Sequence, residues 1–447
     1  MKRRIQKILF ILFPVFFVGI FIFFFFLPRM MNSKTITPIK ISAKNRTLKY
    51  QNMNYEKDVN LHSSIITEGG KYHLSGDYEC LRIDTLSNVL LVLDHANISC
   101  QDGPGIYVEE ANVVNIQSIG ENSIVSETSP SFDGAIYSKD NLIFSGNGTL
   151  NITSNYSGIV SKDMILIQSG NYEIHSLDDG IKGRDYVFIL DGVFSIQSNK
   201  DGIKTTNSIK GDMIIDQGEF LVQSMGDAFQ TVHDLIIHNG NFQIVTKGDA
   251  NKNSSKALKS GNLLQIDDGK FRIDASDDGI HSDNNLLIQN GTFELESLDD
   301  GIHANGLLLI QDGSFQISSK EGLESTSMIL NGGDFIIHSD IHGLTVGRKK
   351  PNSSVYMEIN DGNYLITVGD GDTSAIDSNG DVSIFGGNIE IKAKTPFDYS
   401  GKATYQSGKI IINGKERNSI PKVESKERVP MENFNSGLDG APPMEPN

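Results

Sequence analysis

The sequence predicts an all-β protein: a right-handed parallel β-helix, a solenoid of coils of about 22 residues, behind one N-terminal transmembrane helix. Three observations predict it. The chain has 44 Gly, no Trp and only 21% charged residues, which is a turn-rich composition unlike that of helical bundles. A short unit recurs through most of the length. One charge-free apolar run stands near the start.

That run, residues 8–27, holds 20 residues dominated by Phe, Ile, Leu and Val. At 1.5 Å per residue it spans the roughly 30 Å of a hydrocarbon core. Lys2, Arg3, Arg4 and Lys7 precede it, so residues 1–7 are expected in the cytoplasm and the rest outside, in a single-pass protein of the cell membrane. Phe23 to Phe26, Leu27, Pro28 and Arg29 give no small-x-small cleavage site, which favours an uncleaved anchor over a signal peptide. Residues 28–60 are polar and aperiodic, as expected of a stalk or linker.

Residues 61–415 carry the repeat. Each copy reads apolar strand, Gly, x-Phe-x-Ile, polar pair, Asp-Gly-Ile. Its glycines are Gly148, Gly170, Gly192, Gly218, Gly240, Gly269, Gly291, Gly313, Gly333, Gly362, Gly387 and Gly408. Two residues on stands an aromatic or aliphatic side chain (Phe194, Phe220, Phe242, Phe271, Phe293, Phe315 and Phe335 among them), and four on stands Ile, Val or Leu. Alternation over four to six residues is the period of a half-buried strand. The interval is too short for propeller blades, and the leucine-rich repeat pattern is missing. Parallel connections of this kind are right-handed. At about 4.8 Å per layer, a dozen layers make a rod of roughly 60 Å. Longer intervals mark insertions, at residues 247–255 and 348–354. Residues 416–447 are rich in Pro and charge and are expected to be a disordered tail.

Cys80 and Cys100 lack the Cys-x-x-Cys spacing of a zinc or redox centre. Two buried, small apolar side chains are the preferred reading. A disulfide gains if the pair lies on neighbouring layers, and both are placed on adjacent early coils.

Fifty-six acidic against 39 basic residues give −17, which argues against a nucleic-acid partner. Part of that charge recurs in turns: Asp178-Asp179-Gly180, Asp201-Gly202, Asp277-Asp278-Gly279, Asp299-Asp300-Gly301 and Glu321-Gly322. In a solenoid such acids stack at about 4.8 Å and repel by about 1 kcal/mol or more. Calcium, which takes six to eight oxygens, would offset this. The expected ligands are Asp277, Asp278, Asp299, Asp300 and Glu321 with Glu324, and Asp178, Asp179 and Asp201 in a second group. The bland alternative is that Asp before Gly is ordinary turn chemistry. Just after each turn come Lys182, Lys204, Gln230, Lys259, His281, His303 and Glu324 on one side of the rod. Lys182, Lys204, Lys259, His281 and His303 are candidate ligand-binding residues, which beside calcium would suit a polyanion. Alternatively the lysines pair with their neighbouring acids. Histidine and calcium match poorly, and no Cys supports zinc.

The serial turns Ser176-Leu177-Asp178-Asp179-Gly180-Ile181-Lys182, Ala275-Ser276-Asp277-Asp278-Gly279-Ile280-His281 and Ser297-Leu298-Asp299-Asp300-Gly301-Ile302-His303, each followed by Gly-x-Phe-x-Ile, resemble a bacterial carbohydrate-binding β-helix family. That family was first characterised in a cellulolytic clostridium and is related in fold to pectate lyases. The similarity covers about residues 60–415, with a like Pro-rich tail. It implies a right-handed β-helix, bound Ca2+ and binding of acidic plant polysaccharide such as polygalacturonate, and cellulose as a further ligand. The turn degrades at Gly226-Asp227-Ala228-Phe229 and Lys256-Ala257-Leu258, so metal sites are expected to be absent or altered there. No catalytic residue is assigned. A polysaccharide lyase is the enzymatic alternative, with Lys182 or Lys204 as base because Arg is scarce in the repeats. A purely structural surface rod is the third reading.

Overall fold

The computed structural model describes residues 35–50, 53, 55, 58–59, 61–127, 131–250, 253–371 and 373–421. The expected anchor at 8–27 and most of the tail lie outside these residues. Among the described residues no helix is long and apolar enough to cross a membrane.

The repeat folds into a parallel β-solenoid. A representative coil holds Val193–Ser198, Ile203–Thr205 and Asp212–Ile215, and each strand pairs in parallel with its counterpart one coil on. Register follows the repeat: Tyr172 faces Phe194, Phe220 faces Phe242, and Phe293 faces Phe315. Among the described residues the one antiparallel pair is Lys409–Ile412 with Lys415–Arg417, which extends the ordered unit slightly past residue 415.

Stacked identical side chains fill the core. From Tyr172 through seven phenylalanines to Tyr364, ring centroids lie 4.5–5.1 Å apart with planes within 15°. The terminal tyrosines point their hydroxyls to the carbonyls of Ser169 and Asp361, at 2.7 and 2.8 Å. The glycine before each ring has φ between +105° and +151° from Gly170 to Gly362. At Gly291 an added Cβ would come 2.9 Å from the Phe293 ring and 3.2 Å from the Gly269 carbonyl. Glycine is therefore required on two grounds, backbone conformation and space.

Two expectations need correction. Cys80 and Cys100 are disulfide-bonded, with Cα atoms 4.9 Å apart. The solenoid brings them together, which was the condition for preferring a bridge. The stretch 28–60 is not a free stalk where it is described. Residues 35–50 strap across the outside of the rod, because the strands beneath are apolar on both sides. Ile143, Leu166, Phe188, Ile214 and Ile236 point outward and are covered by Ala43, Ile39, Tyr50 and Met53. Strands buried on both faces read as continuous apolar runs, as in Val187-Phe188-Ile189. Polar contacts fix the strap. The buried Gln265 amide exchanges two hydrogen bonds with the Ile39 backbone, at 2.8 and 2.9 Å. Asp216 accepts from the amides of Ala43 and Lys44, at 2.7 and 2.9 Å, at the start of the short helix Ala43–Arg46.

Gly291→Ala is expected to destabilise by about 1–3 kcal/mol, and Phe293→Ala by about 3–5 kcal/mol. Urea unfolding followed by circular dichroism measures both, and an unchanged midpoint for either variant would contradict the stacked-ring account.

Candidate binding face and its charge ladder

The second strand of each coil sends one residue inward and the next outward. The outward residues form one column, set by register: Arg82, Tyr107, Tyr137, Val160, Lys182, Lys204, Gln230, Lys259, His281, His303, Glu324, Thr345, Asp377 and Asp398. The five candidate ligand-binding residues thus do share one line. Three residues before Lys182, Lys204, Gln230, His281, His303 and Glu324 lie the turn acids Asp179, Asp201, Asp227, Asp278, Asp300 and Glu321, a parallel column beside the first.

Each turn aspartate performs two tasks. One oxygen accepts the backbone amide of its counterpart one coil on: Asp201 N to Asp179 Oδ1 at 3.2 Å, Asp227 N to Asp201 Oδ1 at 2.8 Å, Lys256 N to Asp227 Oδ1 at 2.8 Å and Asp300 N to Asp278 Oδ1 at 3.1 Å. The acid column also receives a lysine or histidine side chain from the outward column. Lys182 Nζ lies 3.3 Å from Asp179 and 2.8 Å from Asp133. Lys204 Nζ lies 2.9 Å from Asp201 and 3.1 Å from Asp179, and Lys259 Nζ 3.3 Å from Asp227. His281 Nδ1 approaches Asp278 at 2.7 Å, and His303 Nδ1 approaches Asp300 at 2.6 Å. The repulsion in the stack is therefore offset by lysines from the chain itself at Asp179, Asp201 and Asp227, while the His281 and His303 imidazoles hydrogen-bond Asp278 and Asp300.

The two degraded turns still serve this ladder. Asp227 keeps its place in the acid column, and Lys256 stands where another copy has Asp. Its Nζ lies 2.7 Å from both Asp277 Oδ1 and Asp278 Oδ2, the position a cation would take. Of the outer acids in the doubled turns, Asp178 pairs with Lys200 at 2.7 Å and Asp299 with Lys320 at 2.8 Å. At the end of the cationic stretch Glu324 reverses the sign, and it contacts His303 at 3.1 Å and Lys349.

Burial disfavours the ammonium of Lys182, Lys204 and Lys256, but the hydrogen bonds and charges of their aspartates outweigh it and raise all three pKa values. Burial likewise opposes the charged Asp278, yet His281 and Lys256 draw its pKa well below the usual carboxylate range. One coil on, burial and the Asp278 charge push Asp300 up to about 7 against the His303 hydrogen bond. His303 is also raised: burial works against its charge, and Asp300, Asp278 and Glu324 prevail. Three carboxylates, those of Asp278, Asp300 and Glu324, converge here, which favours protonation of the Asp300–His303 pair.

A test of the donor set for a hard cation separates the two expected calcium groups. Asp178, Asp179 and Asp201 each meet a lysine (Lys182, Lys200 or Lys204), and so do Asp277, Asp278 and Asp299 (Lys256 or Lys320), so the convergence of ligand oxygens is what separates the two sets. Asp277, Asp278 and Asp299 each bring a ligand oxygen within 4.8 Å of the others. In register with Asp300, Glu321 has a buried Oε2 with no hydrogen-bond partner among the described residues. The donor oxygens of Asp277, Asp278 and Asp299 are of the kind calcium takes, and Lys256 and Lys320 hold them in the structure described. The groups Asp278/His281/His303 and Asp300/His303/Glu324 are equally close but contain imidazole, a poor match for calcium.

Sequence reasoning missed the aromatic end of the column. Tyr107, Phe132 and Tyr137 lie 4.8–5.9 Å apart between ring centroids, and Lys162 sits 5.1 Å over Tyr137. Their coils precede the regular repeat, so no motif flagged them.

Fold and face together define a parallel β-solenoid with a long, regular line of mostly polar side chains along one side. Residues 62–301 and 296–426 match the family model described as carbohydrate-binding domain-containing protein, and the chain belongs to that family. No curated protein matches. Among solved structures, the polysaccharide lyase-like protein from C. thermocellum, a gadolinium derivative, aligns with a TM-score of 0.42 and 26% identity over 48% of this chain and 89% of that one.

Retained protons in the Asp300–His303 pair have a defined sign. Groups with raised folded-state values contribute stability that is present in mild acid and is lost as pH rises through about 7. Asp278 acts oppositely, with stability present above about pH 4 and lost on stronger acidification. Hydrogen exchange of the amides from Asp278 to Glu324, corrected for intrinsic rates, is expected to show local stability falling between about pH 5 and 8, by about 1 kcal/mol. Asp300→Asn, which removes one titrating group and the carboxylate that raises the other, should flatten that slope.

Proposed function

We propose that this protein is an extracellular carbohydrate-binding protein that recognises an acidic polysaccharide of the polygalacturonate type with calcium as the bridge. The observation that carries the reading is the outward column, a line of polar side chains one coil apart in a chain of the carbohydrate-binding family. Family membership supports the ligand class. Charge accounting supports the role given to calcium: Lys182, Lys204, Lys259, His281 and His303 already face carboxylates, so a uronate polymer needs positive charge from elsewhere. Asp277, Asp278 and Asp299, with Glu321 nearby, would hold the ion, which supplies the positive charge that a sugar carboxylate meets.

The lyase alternative is weaker on a physical ground. A general base works best with a pKa near the working pH, whereas the partners of Lys182 and Lys204 raise theirs. Location outside the cell draws support from the basic residues before the apolar run 8–27 and from the Cys80–Cys100 disulfide, a bond that persists in oxidising surroundings. The run itself would anchor the protein in the membrane.

Calorimetric titration with polygalacturonate is expected to show saturable binding in calcium and loss of at least about tenfold in affinity in chelator. Sustained growth of ultraviolet absorbance from unsaturated product would replace the binding reading with the lyase. Lys256→Met removes the competing ammonium and should cost roughly 1–3 kcal/mol of stability without calcium, and calcium should recover most of it. If calcium shifts the melting temperature of neither wild type nor variant, the metal has no part in the function.

A further inference from the structure

The last imidazole of the outward column stands where the column changes sign. His303 Nδ1 lies 2.6 Å from Asp300 Oδ2 on its own coil and 3.1 Å from Glu324 Oε2 on the next. Ligand atoms of all three side chains lie within 4.8 Å of one another. Asp300 is 5% exposed, and the side chains of His303 and Glu324 are 12% and 13% exposed. The far ring nitrogen is already engaged. His303 Nε2 lies 3.2 Å from Asn305 Oδ1, an amide oxygen that only accepts, so Nε2 carries a proton and donates it. Nδ1 thus turns toward two carboxylates with either a second proton or a lone pair. An acceptor on the far nitrogen is what fixes the tautomer and ring orientation of a metal-ligating histidine.

The surrounding charges leave this group negative. Lys349 meets Glu324, but among the described residues Asp300 pairs with no lysine or arginine. Glu321, in register with Asp300, adds a buried Oε2 with no hydrogen-bond partner among the described residues. The nearby cations are engaged elsewhere: Lys320 with Asp299 at 2.8 Å and Lys256 with Asp278 at 2.7 Å. His342, in register with Glu321, accepts from the Ser374 amide at 3.2 Å. The adjacent trio Asp278/His281/His303 differs, because Lys256 already lies on Asp278, and His281 is held between Asp278 and Asp283 at 2.7 and 3.0 Å. One imidazole nitrogen with two carboxylate oxygens is a donor set for a borderline divalent cation of the zinc class, which requires no thiolate. Calcium takes oxygen ligands instead.

We propose that Asp300, His303 and Glu324 form a binding site for a zinc-class divalent cation, separate from the carboxylates assigned to calcium and independent of the polysaccharide reading. Three protein donors leave a position for water or a ligand, and the ion would clip the coil of His303 to that of Glu324. The test uses full-length protein without an affinity tag, stripped by chelator and titrated with Zn2+ or Co2+ in a large excess of calcium. Stoichiometric binding is expected, with Co2+ developing visible ligand-field absorption. His303→Gln and Glu324→Gln should each lower Zn2+ affinity by about tenfold or more, and Asn305→Ala, which removes a positioning residue, by about tenfold. Circular dichroism checks that each variant is folded. The Asp277→Asn/Asp299→Asn pair, which alters the calcium set, should leave Zn2+ affinity unchanged. Failure of both ions to bind in calcium would overturn the proposal. So would equal Zn2+ affinity in wild type and in the folded His303 and Glu324 variants, or a loss in the Asp277/Asp299 pair as large as theirs. None of these outcomes bears on polygalacturonate binding, which has its own titration.

Discussion

Parallel register between coils, repeated about every 22 residues, places like over like. Side chains equivalent in sequence come within van der Waals or hydrogen-bonding distance of each other in space. For phenylalanine this is favourable, and the stack from Tyr172 to Tyr364 gives every coil the same depth and phase. For aspartate it is unfavourable, and much of the remaining chemistry of the rod answers that problem. The same operation that builds the core creates the charged column on its surface.

The answer is local and periodic. Lysines or histidines of the outward column return to Asp179, Asp201, Asp227, Asp278 and Asp300, while Asp179, Asp201, Asp227 and Asp278 also receive a backbone amide from the next coil. Carboxylates that look like metal ligands in one dimension are also capping groups in three. Lys256 is the informative case: it departs from the motif, yet its amine fills the space between Asp277 and Asp278. A face that neutralises itself has little free charge to offer a polyanion.

A second consequence of regular coils is that one wall is apolar outside as well as inside. Left bare, Leu166, Phe188, Ile214 and Ile236 would form an exposed apolar stripe of the kind that drives association. Residues 35–50 cover that stripe by packing across several coils, anchored by Gln265 and Asp216. The early coils, which lack the phenylalanine stack, are tied by the Cys80–Cys100 bridge.

The sequence alone determined the solenoid, its period, the phenylalanine column and the placing of Lys182, Lys204, Lys259, His281 and His303 on one line. All of these follow from spacing, since a fixed interval in a parallel coil maps directly onto a fixed position in space. Tertiary structure decided what spacing does not encode. Which acid meets which cation depends on side-chain reach across coils, as with Lys182 meeting Asp133 as well as Asp179. The strap at 35–50 carries no period, so its polar composition suggested a stalk, and its partners lie some two hundred residues away in sequence. The insertion after residue 246 is legible as a longer interval in the repeat, but which side chains gather beside Gln230 is decided by packing between coils.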